Sequence, residues 1–272
     1  MTKEKGNISL VEWVDNLMSH GKIAFSMEEL KLAFRNNSDT GLKQALNRLF
    51  KKKKAVSIYK GYYLLITPQY QSRGILPPAI YLDAFMKHLN RPYYIGLLNA
   101  AAFHGSAHQQ PQEYFVFTNF PKLRPVGKKG MKVNYISIKE IPEKFLETRK
   151  TESGYVKISS LELTAFDLIH FKKRIGGLSR AATVLNELFD EFKNESFNSV
   201  ILTEVPSVSI QRLGYILEKV LNKKEIADDL YNQCKALKIK FNRKTLSASG
   251  EKAGFPYDEK WKLIINTEIE PD

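Results

Sequence analysis

The sequence holds 272 residues, 43% hydrophobic and 26% charged, a balance that supports a folded core and excludes a chain that is mostly disordered. Its one cysteine, Cys234, excludes an intramolecular disulfide, and its longest apolar run, 92–103, is too short to span a bilayer. A net charge of +13 points to a polyanionic partner without by itself separating nucleic acid from an anionic membrane surface.

The charge is unevenly placed. Residues 1–30 carry three lysines against five acids, whereas residues 31–60 carry nine basic residues against one acid, Asp39, a local net charge of +8. In chain order, Ser9 can cap a helix in which Leu10, Val14 and Leu17 form an apolar stripe ending near His20 and Gly21. Ser26 and Glu29 have capping-box spacing, and Leu30, Ala33 and Phe34 follow at helical intervals. Asn36, Asn37, Ser38 and Asp39 are turn chemistry that ends this helix and caps the next. The third helix is expected over 40–52, with Leu42, Ala45, Leu46 and Leu49 on one face. Residues 56–59 and 62–65 then read as strands of a tight hairpin turning at Lys60 and Gly61. That order is the order of a winged helix-turn-helix, expected over 1–70.

Residues 67–78 contain Pro68, Gly74, Pro77 and Pro78 and read as a linker, so a second domain is expected over 71–272. Helices are expected there over 79–89, 93–103, 160–171, 179–192, 209–220 and 225–237, and strands at 114–117, 133–138 and 261–265. Helices and strands come in runs rather than alternating. The expected fold class is therefore mixed α/β of the α+β kind, a winged helix-turn-helix followed by a larger α+β domain. The first ten residues lack an apolar segment, so no signal peptide is expected, and one cysteine suits a cytoplasmic protein without a membrane partner.

A helix-turn-helix lays its second helix in the major groove. With Leu42, Ala45, Leu46 and Leu49 turned inward, the outward set is Thr40, Lys43, Gln44, Asn47, Arg48 and Lys51. Gln and Asn pair bidentately with adenine, Arg and Lys with guanine. Lys51, Lys52, Lys53 and Lys54 are expected on phosphates, and Lys60 at the hairpin tip is expected on the DNA backbone. Double-stranded DNA is the expected partner. The plainer reading, an amphipathic helix with a solvated face, is outweighed by the joint order of caps, turn, stripe, charge and hairpin.

No catalytic residue, cofactor or metal is expected. His104 and His108 have the i, i+4 spacing of a zinc pair, but Gly105 stands where the metalloprotease pattern needs glutamate, and packing or hydrogen-bonding roles are expected instead. Gly127, Lys128, Lys129 and Gly130 lack full phosphate-loop spacing and read as a basic loop. Cys234 reads as a small buried hydrophobe. Glu162, Asp167, Glu268 and Glu270 have no visible catalytic geometry and are expected at the surface. Further basic clusters at 122–132 and 235–244 read as solvated faces, with DNA or RNA contact as alternatives.

Several strings of the second domain are similar to one family. They are PPAIYLDAFMKHLNRPYYIGLLNAAAFHGSAHQQPQEYFVFT at 77–118, SSLELTAFDLIHF at 159–171, GGLSRAATVLNEL at 176–188, SIQRLGYILEKV at 209–220 and WKLIINTEIEPD at 261–272. In this order they resemble the AbiEi-type antitoxins of abortive-infection, type IV, toxin–antitoxin systems. The resemblance implies a bacterial phage-defence protein whose N-terminal domain represses its own operon at promoter inverted repeats. Its C-terminal domain would counteract a nucleotidyltransferase-like toxin, in many such systems without a stable complex. Two other readings stay open, a ligand-responsive winged-helix transcription regulator and a DNA-tethered nucleic-acid-processing enzyme.

Overall fold

A computed structural model describes residues 8–106, 113–190, 197–248 and 253–271. By compactness the chain falls into two units, each built from several segments. One unit comprises Met1–Tyr93, Gln112–Ile141 and Thr148–Lys157, the other Tyr94–Pro111, Pro142–Glu147 and Ile158–Asp272.

The first unit opens with α1 (Leu10–Ser19), β1 (Ala24–Ser26), α2 (Met27–Ala33), α3 (Asp39–Lys51), β2 (Ala55–Tyr59) and β3 (Tyr62–Leu65). The expected cap at Ser9 and the expected capping box at Ser26 both form, and the first is a capping box too: the Ser9 hydroxyl accepts from Glu12 N, and the Ser26 hydroxyl accepts from Glu29 N at 3.1 Å. In return, the Glu29 carboxylate accepts from Ser26 N at 2.7 Å. These reciprocal bonds satisfy amides that the first helical turn leaves unpaired. The hairpin forms as expected, with Gly61 at φ +74° in the turn. A third strand, β1, was not expected. Ala24 pairs with Leu64 and Ser26 with Tyr62, giving an antiparallel sheet of order β1-β3-β2. Leu10, Val14, Phe25, Leu30, Leu42, Leu46, Leu49, Tyr63 and Leu65 close one apolar core beneath it.

Residues 67–78 form no extended tether. They hold a 3-10 turn, Pro68–Tyr70, and bury Ile75 and Leu76. The Tyr70 hydroxyl donates to the Glu152 carboxylate at 3.0 Å. Then come α4 (Pro78–His88) and β4 (Tyr93–Ile95), followed by α5 (Leu97–Phe103). The helix expected over 93–103 is therefore corrected to a strand and a shorter helix. Tyr93, Tyr94 and Ile95 follow Pro92, are aromatic or β-branched, and are all buried, which suits an interior strand. Gly96 then serves as N-cap.

Strands β5 (Glu113–Asn119), β6 (Val126–Lys128) and β7 (Met131–Ile138) lie in the order β6-β7-β5. β5 runs parallel to β7 from Glu113↔Lys132 to Asn119↔Ile138, while β6 is antiparallel to β7. Of the basic segment expected as a loop at 127–130, Gly127 and Lys128 end β6, and Lys129 and Gly130 turn the chain into β7. Another unexpected pair, β8 (Leu146–Thr151) and β9 (Gly154–Ser159), follows.

The second unit is mainly helical. It holds α6 (Leu161–His170), α7 (Leu178–Asp190), α8 (Ser199–Glu204), α9 (Ser207–Tyr215) and α10 (Lys224–Ala236), with a π-helical turn at Ile216–Val220. α6 packs against α5, α7 and α9 and is buried on nearly every face from Leu163 to Ile169. The segment expected as helix over 179–192 is helical to Asp190, and its last two residues lie outside the described ones. Short strands β10 (Lys244–Thr245), β11 (Tyr257–Asp258) and β12 (Leu263–Ile264) form a mixed sheet of order β10-β12-β11. The fold is α+β, as expected. Among the described residues no helix is long and apolar enough to cross a membrane.

Trp261 is fully buried against α9. A Cβ at Gly214 would overlap its six-membered ring, so only glycine lets the helix and indole approach this closely. The indole Nε1 donates to Glu218 at 2.9 Å, and Lys260 pairs with both Glu218 and Asp228 at 2.6 Å. Burial pushes the Glu218 carboxyl up, but hydrogen bonds from Lys219, Lys260 and Trp261 outweigh it and hold it at about 2.

Candidate nucleic-acid interface and a buried polar cluster

The α2–turn–α3 segment positions the expected DNA-reading residues. Ser38 caps α3, its hydroxyl accepting from Gly41 N at 3.1 Å, and Leu42, Leu46 and Leu49 anchor the inner face. With that face fixed, the helical period turns Thr40, Lys43, Gln44, Asn47, Arg48 and Lys51 outward, and all six are exposed. Lys52, Lys53 and Lys60 are exposed as well. Lys51 and Lys52 lie at the C-terminal end of the helix, where its dipole favours cations.

Lys54 is placed differently. Its side chain is 27% exposed and its ammonium meets both Asp15 carboxylate oxygens at 2.8 Å, tying the end of α3 to α1. Lys31 likewise pairs with Asp39 at 2.9 Å, and that hydrogen bond holds the Asp39 carboxyl below its ordinary range. The third acidic contact of this region is Lys22 with Glu29 at 3.1 Å. Sequence reasoning missed Asp15, because its partner is 39 residues away. It also missed that β2 packs against β6, which brings the basic turn at Lys128 and Lys129 into the wing's own unit.

In the helical unit, polar groups are gathered inside. Asp167, expected at the surface, is buried on α6, and the Tyr94 hydroxyl donates to its Oδ2 at 2.9 Å. Burial pushes its carboxyl up to about 7, although the Tyr94 hydrogen bond pulls the other way. The correction has a simple cause: a single aspartate at 167 looks solvated in sequence, but α6 is sheathed by other helices. Nearby, Ser159 Oγ and Thr164 Oγ1 lie 2.7 Å apart, and His104 Nε2 lies 2.9 Å from the Ser159 carbonyl. That contact gives His104 the hydrogen-bonding role expected for it, while His108 lies outside the described residues. Glu162, half-buried rather than solvated, accepts from Asn198 N at 2.5 Å. Cys234 is a buried thiol, as expected, pushed up to about 12 by burial. Among the described residues, no group of three or more His, Cys, Asp and Glu side chains is arranged to hold a metal ion.

The family model described as AbiEi antitoxin C-terminal domain matches residues 94–219, which include most of these buried polar groups. Residues 94–219 are thus similar to an AbiEi antitoxin C-terminal domain. Three of the five family-like strings overlap or fall within the matched AbiEi residues after Ser159, and the string at 77–118 enters them from residue 94. The string at 261–272 lies beyond them. This similarity supports an antitoxin role in a toxin–antitoxin system. No curated protein matches the sequence. Among solved structures, the RV2827C protein from Mycobacterium tuberculosis is similar over 93% of this chain and 89% of that one, with a TM-score of 0.65 at 14% identity. At that identity the likeness concerns the fold alone. An antigenic nucleotidyltransferase-like protein from Paracoccidioides brasiliensis matches 58% of this chain and 90% of its own, with 13% identity and a TM-score of 0.37, too low to support an argument.

Proposed function

We propose that this AbiEi-like protein is a cytoplasmic, DNA-binding antitoxin of bacterial phage defence. It represses its own operon at promoter inverted repeats and counteracts a nucleotidyltransferase-like toxin without catalysis of its own. Residues 1–70 act as the DNA-binding domain and 71–272 as the antitoxin domain. The observation that carries the DNA-binding half is the outward face of α3. Thr40, Lys43, Gln44, Asn47 and Arg48 are all exposed over a buried leucine stripe, and this face runs on into Lys51, Lys52 and Lys53. Such a face offers bidentate base contacts in its middle and phosphate contacts at its end. Lys60 adds a backbone contact from the wing. Lys54 contributes least, since its charge is already engaged by Asp15.

The test is fluorescence anisotropy on a duplex from the promoter of the protein's own operon, titrated at several salt concentrations. Affinity is expected to fall steeply with salt, and replacing Lys51, Lys52 and Lys53 by alanine is expected to reduce the log–log slope by roughly 2–3. An unchanged slope would remove these lysines from the interface. Co-expression of the neighbouring toxin with residues 71–272 alone is expected to restore growth, and rescue by residues 1–70 alone would refute the division of labour.

A further inference from the structure

Three basic side chains of the helical unit converge where no carboxylate meets them. His170 ends α6, Lys172 lies in the 3-10 turn that follows, and Arg212 lies on α9, which packs against α6. Lys172 and Arg212 are each only 9% exposed. Arg212 Nη2 donates to the Thr245 carbonyl at 3.0 Å, but its buried Nε has no hydrogen-bond partner. Lys172 Nζ reaches the Ile169 carbonyl at the long distance of 3.5 Å. Ser209, buried on α9, holds its hydroxyl 3.5 Å from His170 Nδ1. Among the described residues neither Lys172 nor Arg212 forms an ion pair. The electrostatics agree: burial first, then the charge of Arg212, push the Lys172 ammonium down to about 8. Burial, then Lys172 and Arg212, push His170 down too. A nearby carboxylate would have opposed both shifts.

Two buried cations without a counter-charge are an arrangement that folding avoids unless an anion compensates. We propose that Lys172, Arg212, Ser209 and His170 form a site for the terminal phosphate of a small phosphorylated molecule or polyphosphate. The positive charges of Arg212 and of protonated Lys172 match the charge of about −2 on a phosphate monoester, where a carboxylate would neutralise one alone. The guanidinium, ammonium and hydroxyl donors suit a tetrahedral oxyanion with several acceptor atoms. His170 adds an imidazole donor at the solvent-exposed edge, and exposed Lys173 beside it draws anions toward the cluster. Nine-tenths burial favours a small terminal group over a duplex, whose backbone rides on exposed lysines instead.

The test is isothermal titration calorimetry of the full-length protein with inorganic pyrophosphate and inorganic phosphate at constant ionic strength, beside duplex and single-stranded DNA. Saturable one-to-one binding of pyrophosphate is expected, with a rise in Tm that chloride does not reproduce. Lys172→Met and Arg212→Gln are each expected to weaken binding roughly tenfold or more. Lys150→Met, an exposed site on β8, is expected to leave it unchanged. Should Arg212→Gln fail to fold, Lys172→Met carries the test, with phosphorus NMR line broadening of pyrophosphate as a second readout. The proposal is overturned if wild-type protein binds neither anion, if Lys172→Met binds pyrophosphate as tightly as wild type, or if only nucleic acid titrates the cluster.

Discussion

In the winged region the interior from Leu10 to Leu65 is apolar, and the basic residues of α3 stand outside it in solvent. In the AbiEi-like region Asn99, Asp167, Lys172, Gln211 and Arg212 are all buried among the helices. The first arrangement separates stability from recognition, because a side chain on the α3 face can change without disturbing the leucines beneath it. The second joins them. A buried polar group removed from its partner costs more than an exposed one, so substitutions in this region are expected to report on folding as much as on function.

The sharpest way to break that contrast is at Gly214. Gly214→Ala places a methyl group in the Trp261 ring, and urea denaturation is expected to show a loss of at least about 3 kcal/mol. A loss under about 1 kcal/mol would mean that α9 and the indole can part easily.

Asp167 gives the next largest effect, through pH. Its carboxyl is raised from 3.8 to about 7 in the folded protein, so its stabilising contribution is full below about pH 4 and is lost as pH rises through about 7. Asp167→Asn is expected to remove on the order of 2 kcal/mol of that slope. Stability profiles that coincide for the two proteins would contradict the assignment.

On the winged side, Gln44→Ala or Arg48→Ala is expected to relax preference at one base pair by about 1–3 kcal/mol. The same variants should keep their unfolding free energy within about 0.5 kcal/mol of wild type. Loss of stability together with specificity would erase the separation drawn above. The smallest effect belongs to Ser26→Ala, which removes the α2 capping box and is expected to cost about 1 kcal/mol in the same denaturation assay.

Much of the winged region was legible in the sequence because its signals are local. Ser9, Ser26 with Glu29, and Ser38 sit within one helical turn of the groups they cap. The leucines of α3 repeat at the period of the helix they form. β1 was missed because Ala24, Phe25 and Ser26 become a strand only through pairing with residues about 40 positions later. Tyr93 to Ile95 reads as helix in the sequence because an apolar run alone does not distinguish a buried strand from a buried helix.

The amino-acid sequence by itself determined the caps, the amphipathic helices, the hairpin, the concentration of charge on residues 31–60 and the outward set on α3. Each of these depends on neighbours within a few residues. Tertiary structure decided that Lys54 is bound to Asp15, that Asp167 lies beneath the surface with Tyr94, and that Trp261 presses on Gly214. It also brought Lys172 to Arg212. These groups lie 39 to 73 residues apart in sequence, and their chemistry depends on desolvation and charge proximity, which arise only once the helices have packed.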